Sequence, residues 1–154
     1  TPPNLRQLHT LIDRALAASP GRFGQPLRRT RDRWSRVRVQ LRLGTLELYD
    51  GADSWADLFS LPDLELTIRS GERLVYTSFA GSDSALLHCG STVAFVHAFG
   101  QPLRFGVFDK DITESEWLAD HCVNSLDQLS GGVAARQFRL AVRVVSLLPA
   151  GGGH

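Results

Sequence analysis

Two groups of carboxylates could do chemistry in this chain: Asp50, Asp53, Asp57 and Asp63, and then Asp109, Asp111, Glu114 and Glu116. Like charges held a few ångströms apart raise one another's pKa, so gathering such groups without a cation is costly. A hard cation removes the cost, and calcium takes roughly six to eight oxygen ligands from flexible loops. The spacing is not that of an EF-hand, because no D-x-[DN]-x-[DN]-G-x₅-E run occurs. Aspartate is also common in loops because it caps turns and helices. The charge pattern alone therefore leaves two readings open, a cation site or solvated loop acids.

Other reactive residues point to less. Cys89 and Cys122 are too few for a disulfide scaffold and lack metal-ligand spacing. They read as two buried thiols, or as a bridge in an oxidising compartment. His88–Cys89 and His121–Cys122 repeat a pairing that zinc could use if the two segments met. Adjacent side chains on a strand face opposite ways, which counts against it. No G-x-S-x-G elbow and no H-E-x-x-H helix is present. A glycosidase acid pair needs a deep cleft that this short chain can hardly build. The expectation is a non-enzymatic protein.

Composition sets the frame. Of the 154 residues 43% are apolar and 21% charged, which suits one globular domain rather than a disordered chain. No run of eighteen apolar residues is present, so the expectation is a soluble or peripheral membrane protein. The net charge of +1 hides an asymmetry. Residues 1–42 carry ten Arg against Asp13 and Asp32, a net of +8, and residues 43–154 carry six Arg and Lys110 against fourteen acids, a net of −7.

The elements that must position the carboxylates are mostly strands. Residues 4–18 read as one helix, with Leu5, Leu8, Leu11, Ile12 and Leu16 on one side and Asn4 as N-cap. Residues 19–35, with two Pro and two Gly, read as an irregular basic segment. From Arg36 the period changes to two: Val37, Val39, Leu41 and Leu43 face one way, and Arg36, Arg38, Gln40 and Arg42 the other. That strand extends toward Leu48 across Gly44, where a bulge fits. Further strands are expected over 63–69, 73–79, 91–98, 103–108 and 137–148, with one or two more between 117 and 132. Asp63 opens one strand and Asp109 closes another. Short alternating strands with frequent turn signals indicate an all-β sandwich or barrel.

At this point the chain resembles the C2 domain family. The stretch Asp57-Leu-Phe-Ser-Leu-Pro-Asp63-Leu-Glu-Leu-Thr-Ile is similar to the family's first calcium loop, where two aspartates stand six apart and the second opens a strand. Leu103-Arg-Phe-Gly-Val-Phe-Asp109-Lys-Asp111 is similar to the strand and D-x-D start of its third loop. Arg73-Leu-Val-Tyr-Thr-Ser looks like its third strand. The resemblance covers roughly residues 36–148 and implies an eight-stranded antiparallel C2-like β-sandwich with an N-terminal helical extension. It divides the chain into a helical and basic extension (1–35), the sandwich (36–148) and a tail (149–154).

The resemblance also implies a site. Asp57 and Asp63 would be first-loop calcium ligands, and Asp109 and Asp111 third-loop ligands. The family's fifth acid falls on Trp117, with Glu116 the adjacent carboxylate. Trp55, Phe59 and Trp117 would insert at a lipid interface or else plug the end of the sandwich. Arg36, Arg38 and Arg42 would meet anionic headgroups or a partner. The expected function is calcium-dependent binding to an anionic phospholipid membrane or a protein. The alternative is a metal-independent interaction or assembly domain using the N-terminal helix, the basic segment and the sheet face. No nucleic-acid motif accompanies the arginines, so a nucleic-acid partner is not expected.

Overall fold

The computed structural model describes residues 4–18, 24–49, 62–81, 84–110 and 115–150. Two helices precede nine strands among these residues: α1 (Leu5–Ala18), α2 (Gly24–Arg33), β1 (Arg36–Leu48), β2 (Leu64–Ser70), β3 (Arg73–Thr77), β4 (Leu86–His88), β5 (Thr92–Ala98), β6 (Leu103–Lys110), β7 (Ser115–Val123), β8 (Val133–Ala134) and β9 (Phe138–Pro149). A short 3₁₀ turn spans Leu126–Leu129.

The strands form two antiparallel sheets packed face to face. In the first, β9 pairs with one side of β1 and with β8, while β4 and β5 share the other side of β1. The second runs β3-β2-β6-β7. The period-two pattern of β1 holds as expected: Val37, Val39, Leu41 and Leu43 are buried and the intervening residues exposed. They face Leu64, Leu66 and Ile68 of β2 and Phe105 and Val107 of β6 across one apolar core. Burial of these side chains from both sheets drives the sandwich.

Among the described residues the count is nine strands rather than eight, and two of the nine, β4 and β8, are very short. A bulge falls between Leu43 and Leu46, where Gly44 permits the close approach of Ala141, whose Cβ would lie 2.9 Å from any Cβ at position 44. A second irregularity in the β1–β9 register falls between Gln40 and Leu41. It places Ser146 opposite Gln40 and gives the core position to Leu147, which explains the weakening alternation near the end of β9.

The extension departs from expectation. Residues 24–33 are helical, not irregular. Pro26 lies in the first turn, where no intrahelical N–H bond is lost. The helix then lies against α1, with Arg31 paired to Asp13 at 3.4 Å. In α1 the Asn4 side chain accepts the Gln7 N–H at 3.0 Å, as an N-cap should. The buried stripe is Leu5, His9 and Ile12, whereas Leu11 is exposed. His9 stacks on Phe99 with ring centres 3.8 Å apart, and its Nε2 donates to the Trp34 carbonyl at 3.1 Å. The helical pair thus docks at the end of the sandwich where β5 turns into β6.

Beneath that seam His97 is 3% exposed, with Nδ1 2.7 Å from the Ser70 hydroxyl. Burial pushes its pKa down, and a backbone hydrogen bond at Gln101 opposes the shift. The folded state therefore disfavours a proton that the unfolded chain takes up near pH 6.5. This contribution is intact above about pH 6.5 and is lost as pH falls below it. Melting temperature should drop over that acidic window, and His97→Gln should flatten the drop. An identical slope in both proteins would assign the acid sensitivity to other groups.

Candidate functional site

Asp63 and Asp109 come together because β2 and β6 are neighbours in register, with Leu64 opposite Asp109. The Asp63 N–H donates to Asp109 Oδ1 at 2.9 Å, and the Lys110 N–H donates to the Asp63 carbonyl at 2.8 Å. The Asp109 carboxylate is thereby aimed at the start of β2 rather than free to rotate. On its other side Asp109 is the cross-strand partner of Glu116. Like charges directly opposite on adjacent strands destabilise a sheet. Lys110, the one lysine of the chain, is engaged by Glu65 at 3.4 Å, and Asp109 has no ion pair among the described residues.

These groups share one end of the sandwich. Ser84 donates its N–H to the Pro62 carbonyl, and Leu48 to that of Ala85, tying the ends of both sheets together there. Asp57 and Asp111 lie outside the described residues, as do Trp55 and Phe59. Glu116 and Trp117 stand on β7 itself, a strand that begins at Ser115, two residues before the stretch where one is expected. Trp117 is 56% exposed and lies opposite Phe108. Among the described residues no three His, Cys, Asp or Glu side chains group as a metal site. The side chains that register places opposite each other here, Asp109 and Glu116, are carboxylates, a donor type that suits a hard cation such as calcium rather than zinc.

The basic face lies elsewhere. Arg36, Arg38 and Arg42 are exposed on the outer face of β1, and none has an ion pair among the described residues. Arg143 of β9 is the cross-strand partner of Arg42. The alternation of β9 makes an outward Arg143 legible in the sequence, but its pairing with Arg42 depends on register and leaves no local signal. Glu47, the one acid of β1, is held by Arg139 at 3.2 Å.

The cysteines take neither arrangement expected of them. Cys89 is buried and Cys122 exposed, and both are free. Burial pushes the Cys89 thiol up to about 11, partly offset by a hydrogen bond from Tyr76, so it is not a nucleophile. His88 and Cys89 lie at the end of β4 in the first sheet, whereas His121 and Cys122 lie on β7 of the second, which removes the zinc arrangement.

No protein-family model matches the sequence, and no curated protein does. Solved structures do. Over 75% of this chain the fold is similar to part of human GIVD cytosolic phospholipase A2, with a TM-score of 0.58 at 14% identity. A C2 domain-containing protein from a putative elicitor-responsive gene is similar over 75% of this chain and 90% of its own, with a TM-score of 0.51 at 16% identity. The chain has the C2 fold. The paired C2 domains of Extended-Synaptotagmin 2 give a TM-score of 0.53 at 15% identity over 72% of this chain. The C2-like chain spans 18% of the phospholipase and 40% of that synaptotagmin structure. No described helix is long and apolar enough to cross a membrane.

Proposed function

We propose that this C2-like chain is a non-enzymatic module that binds calcium through carboxylates at one end and, in that state, an anionic phospholipid membrane or a protein. The observation that carries this reading is the hydrogen-bonded approach of Asp109 to Asp63, with Glu116 opposite and no basic residue paired with Asp109 among the described residues. Asp63 and Asp109 are the inner ligands of the proposal. By the family resemblance Asp57 and Asp111, which lie outside the described residues, complete the set, and Glu116 is the weakest member because it stands on β7. Calcium, when bound, would cancel the negative charge of this end and present positive charge to phosphate headgroups. Trp55, Phe59 and Trp117 supply apolar contact to the interface, and Arg36, Arg38 and Arg42 long-range attraction to it.

The test is calorimetric titration of the chain with calcium in chelator-stripped buffer, followed by sedimentation with phosphatidylserine-containing vesicles with and without calcium. Saturable heat and calcium-dependent sedimentation are expected. A folded protein that gives no heat up to millimolar calcium would sink the metal switch. A second reading, a metal-independent interaction domain, is favoured by one observation. The α1–α2 pair leaves Arg28, Arg29 and Arg33 exposed with no ion pair among the described residues. A silent calcium titration would move the search to an acidic protein partner for those helices.

A further inference from the structure

The side of β9 away from β1 has no strand beside it for most of its length. β8 pairs there with Arg139 and Leu140, and among the described residues no strand pairs beyond them. Parity along the ladder identifies the groups left over. Leu43 gives its N–H to the Ser91 carbonyl at 2.8 Å, on the side of β1 away from β9, and Ala150 gives its own to the Arg36 carbonyl at 2.7 Å, on the near side. The residues opposite Leu43, Leu41 and Val39 therefore turn their N–H and C=O groups away from β1, and these are Val142, Val144 and Leu147. None of the three has a backbone partner on that side among the described residues. Sheet edges are ordinarily blunted by charge, proline or a covering segment. This one borders a cleft of about 430 Å³, whose far wall is Leu5 of α1 with Leu126 and Leu129 of the 3₁₀ turn, all three buried. On the outer face of the same edge Val145 and Leu148 are exposed. Arg143 is the one charged residue from Leu140 to Pro149, and it has no ion pair among the described residues.

We infer that the cleft between the open edge of β9 and the wall of Leu5, Leu126 and Leu129 takes an extended peptide of a partner protein as an added strand. An extended backbone presents donors and acceptors at the spacing that Val142, Val144 and Leu147 offer. Its alternate side chains enter the cleft against the three leucines, which calls for apolar residues there. Its other side chains lie along the outer face, where the position opposite Arg143 calls for a carboxylate. The far wall also carries Asp127, so the complementary sequence is apolar with a single acid rather than a run of acids. The register irregularity at Val145 interrupts the edge, which suits a short peptide better than the long regular strand of a second copy. This site goes beyond the calcium reading and shares no residue with it.

The test is selection from a random linear peptide library displayed on phage, against the full chain in EDTA, followed by calorimetry with the enriched peptides. Alternating apolar residues with one Asp or Glu are expected. Methylating the peptide at the backbone nitrogens that face β9 should weaken binding at least about tenfold, and methylating the nitrogens between them should not. Val144→Pro removes a free edge N–H and leaves the β1–β9 ladder intact, and it should weaken binding by about tenfold. Arg143→Glu should weaken it comparably and be rescued by a peptide with Lys in place of its acid. That charge exchange tests the site even if Val144→Pro does not fold. Arg104→Gln, on the other sheet, should bind like the parent. No enrichment, binding unchanged in Arg143→Glu, or binding indifferent to which nitrogens are methylated would overturn the site. Light scattering that finds a dimer broken by Val144→Pro would give the edge to a second copy and overturn it as well. Because EDTA is present throughout, failure of the calcium switch leaves these results unaffected.

Discussion

Replacing both Asp63 and Asp109 with asparagine should abolish the calcium heat of this C2-like chain and lower its affinity by roughly a hundredfold or more, since charge count is a main determinant of calcium affinity. The substitution is close to isosteric. The side-chain oxygen of an asparagine at position 109 can still accept the Asp63 N–H that now meets Asp109 Oδ1 at 2.9 Å, so the local fold should persist. What disappears is charge. In the calcium-free state the double variant should melt at the same temperature or higher, because position 109 no longer repels Glu116 across the strand pair. Opposite signs in the two experiments, weaker binding and equal or greater apo stability, would separate lost ligands from lost structure. Unaltered calcium heat in the double variant would place the ion elsewhere. A variant that is less stable without calcium would mean that these carboxylates serve the fold.

The largest effect on stability should come from Phe138→Ala, at about 3–5 kcal/mol. Phe138 is 0% exposed and begins β9 opposite Leu48, where the central strand pair of the first sheet meets the core. Removing the ring deletes its transfer free energy and leaves a cavity between two sheets whose strands are held by ladder hydrogen bonds. The surroundings can therefore collapse only partly into the space. A domain of this size commonly has about 5–15 kcal/mol of total stability, so the loss is a large fraction of it. Urea denaturation should show the midpoint falling with the slope unchanged. Phe138→Leu, which keeps much of the volume, should cost less than about 1.5 kcal/mol. If both substitutions moved the midpoint equally, the aromatic ring would not be filling the core as its burial indicates.

Both predictions lean on elements that local sequence patterns specify. The alternation from Arg36 to Leu43 marks a half-buried strand, because a period of two on a pleated backbone can bury only one set of side chains. Leu64, Leu66 and Ile68 of β2 follow the same period and are buried, although Glu65 between them is buried as well. The Asn4 cap and the stop after Ala18 bound α1. The α2 helix is hidden in the sequence because Pro26 and the flanking glycines look like loop residues. Its stability comes from lying on α1, and a local reading does not weigh that contact. The short β4 and β8 carry too few residues for any period to register.

For the site, the division falls in the same place. Sequence by itself determined which residues carry charge, that Asp63 and Asp109 stand at the ends of strands, and that the arginines of β1 share one face. These are consequences of local periodicity and covalent order. Only the tertiary structure decided that β2 lies beside β6, which brings Asp63 and Asp109 within a hydrogen bond across 46 positions of sequence. It also decided that Glu116 and Trp117 belong to β7, that Cys89 is buried while Cys122 is not, and that Arg143 faces Arg42. Strand partners and register follow from the packing of two apolar faces against each other. That is a property of the whole chain and is not written at any one position.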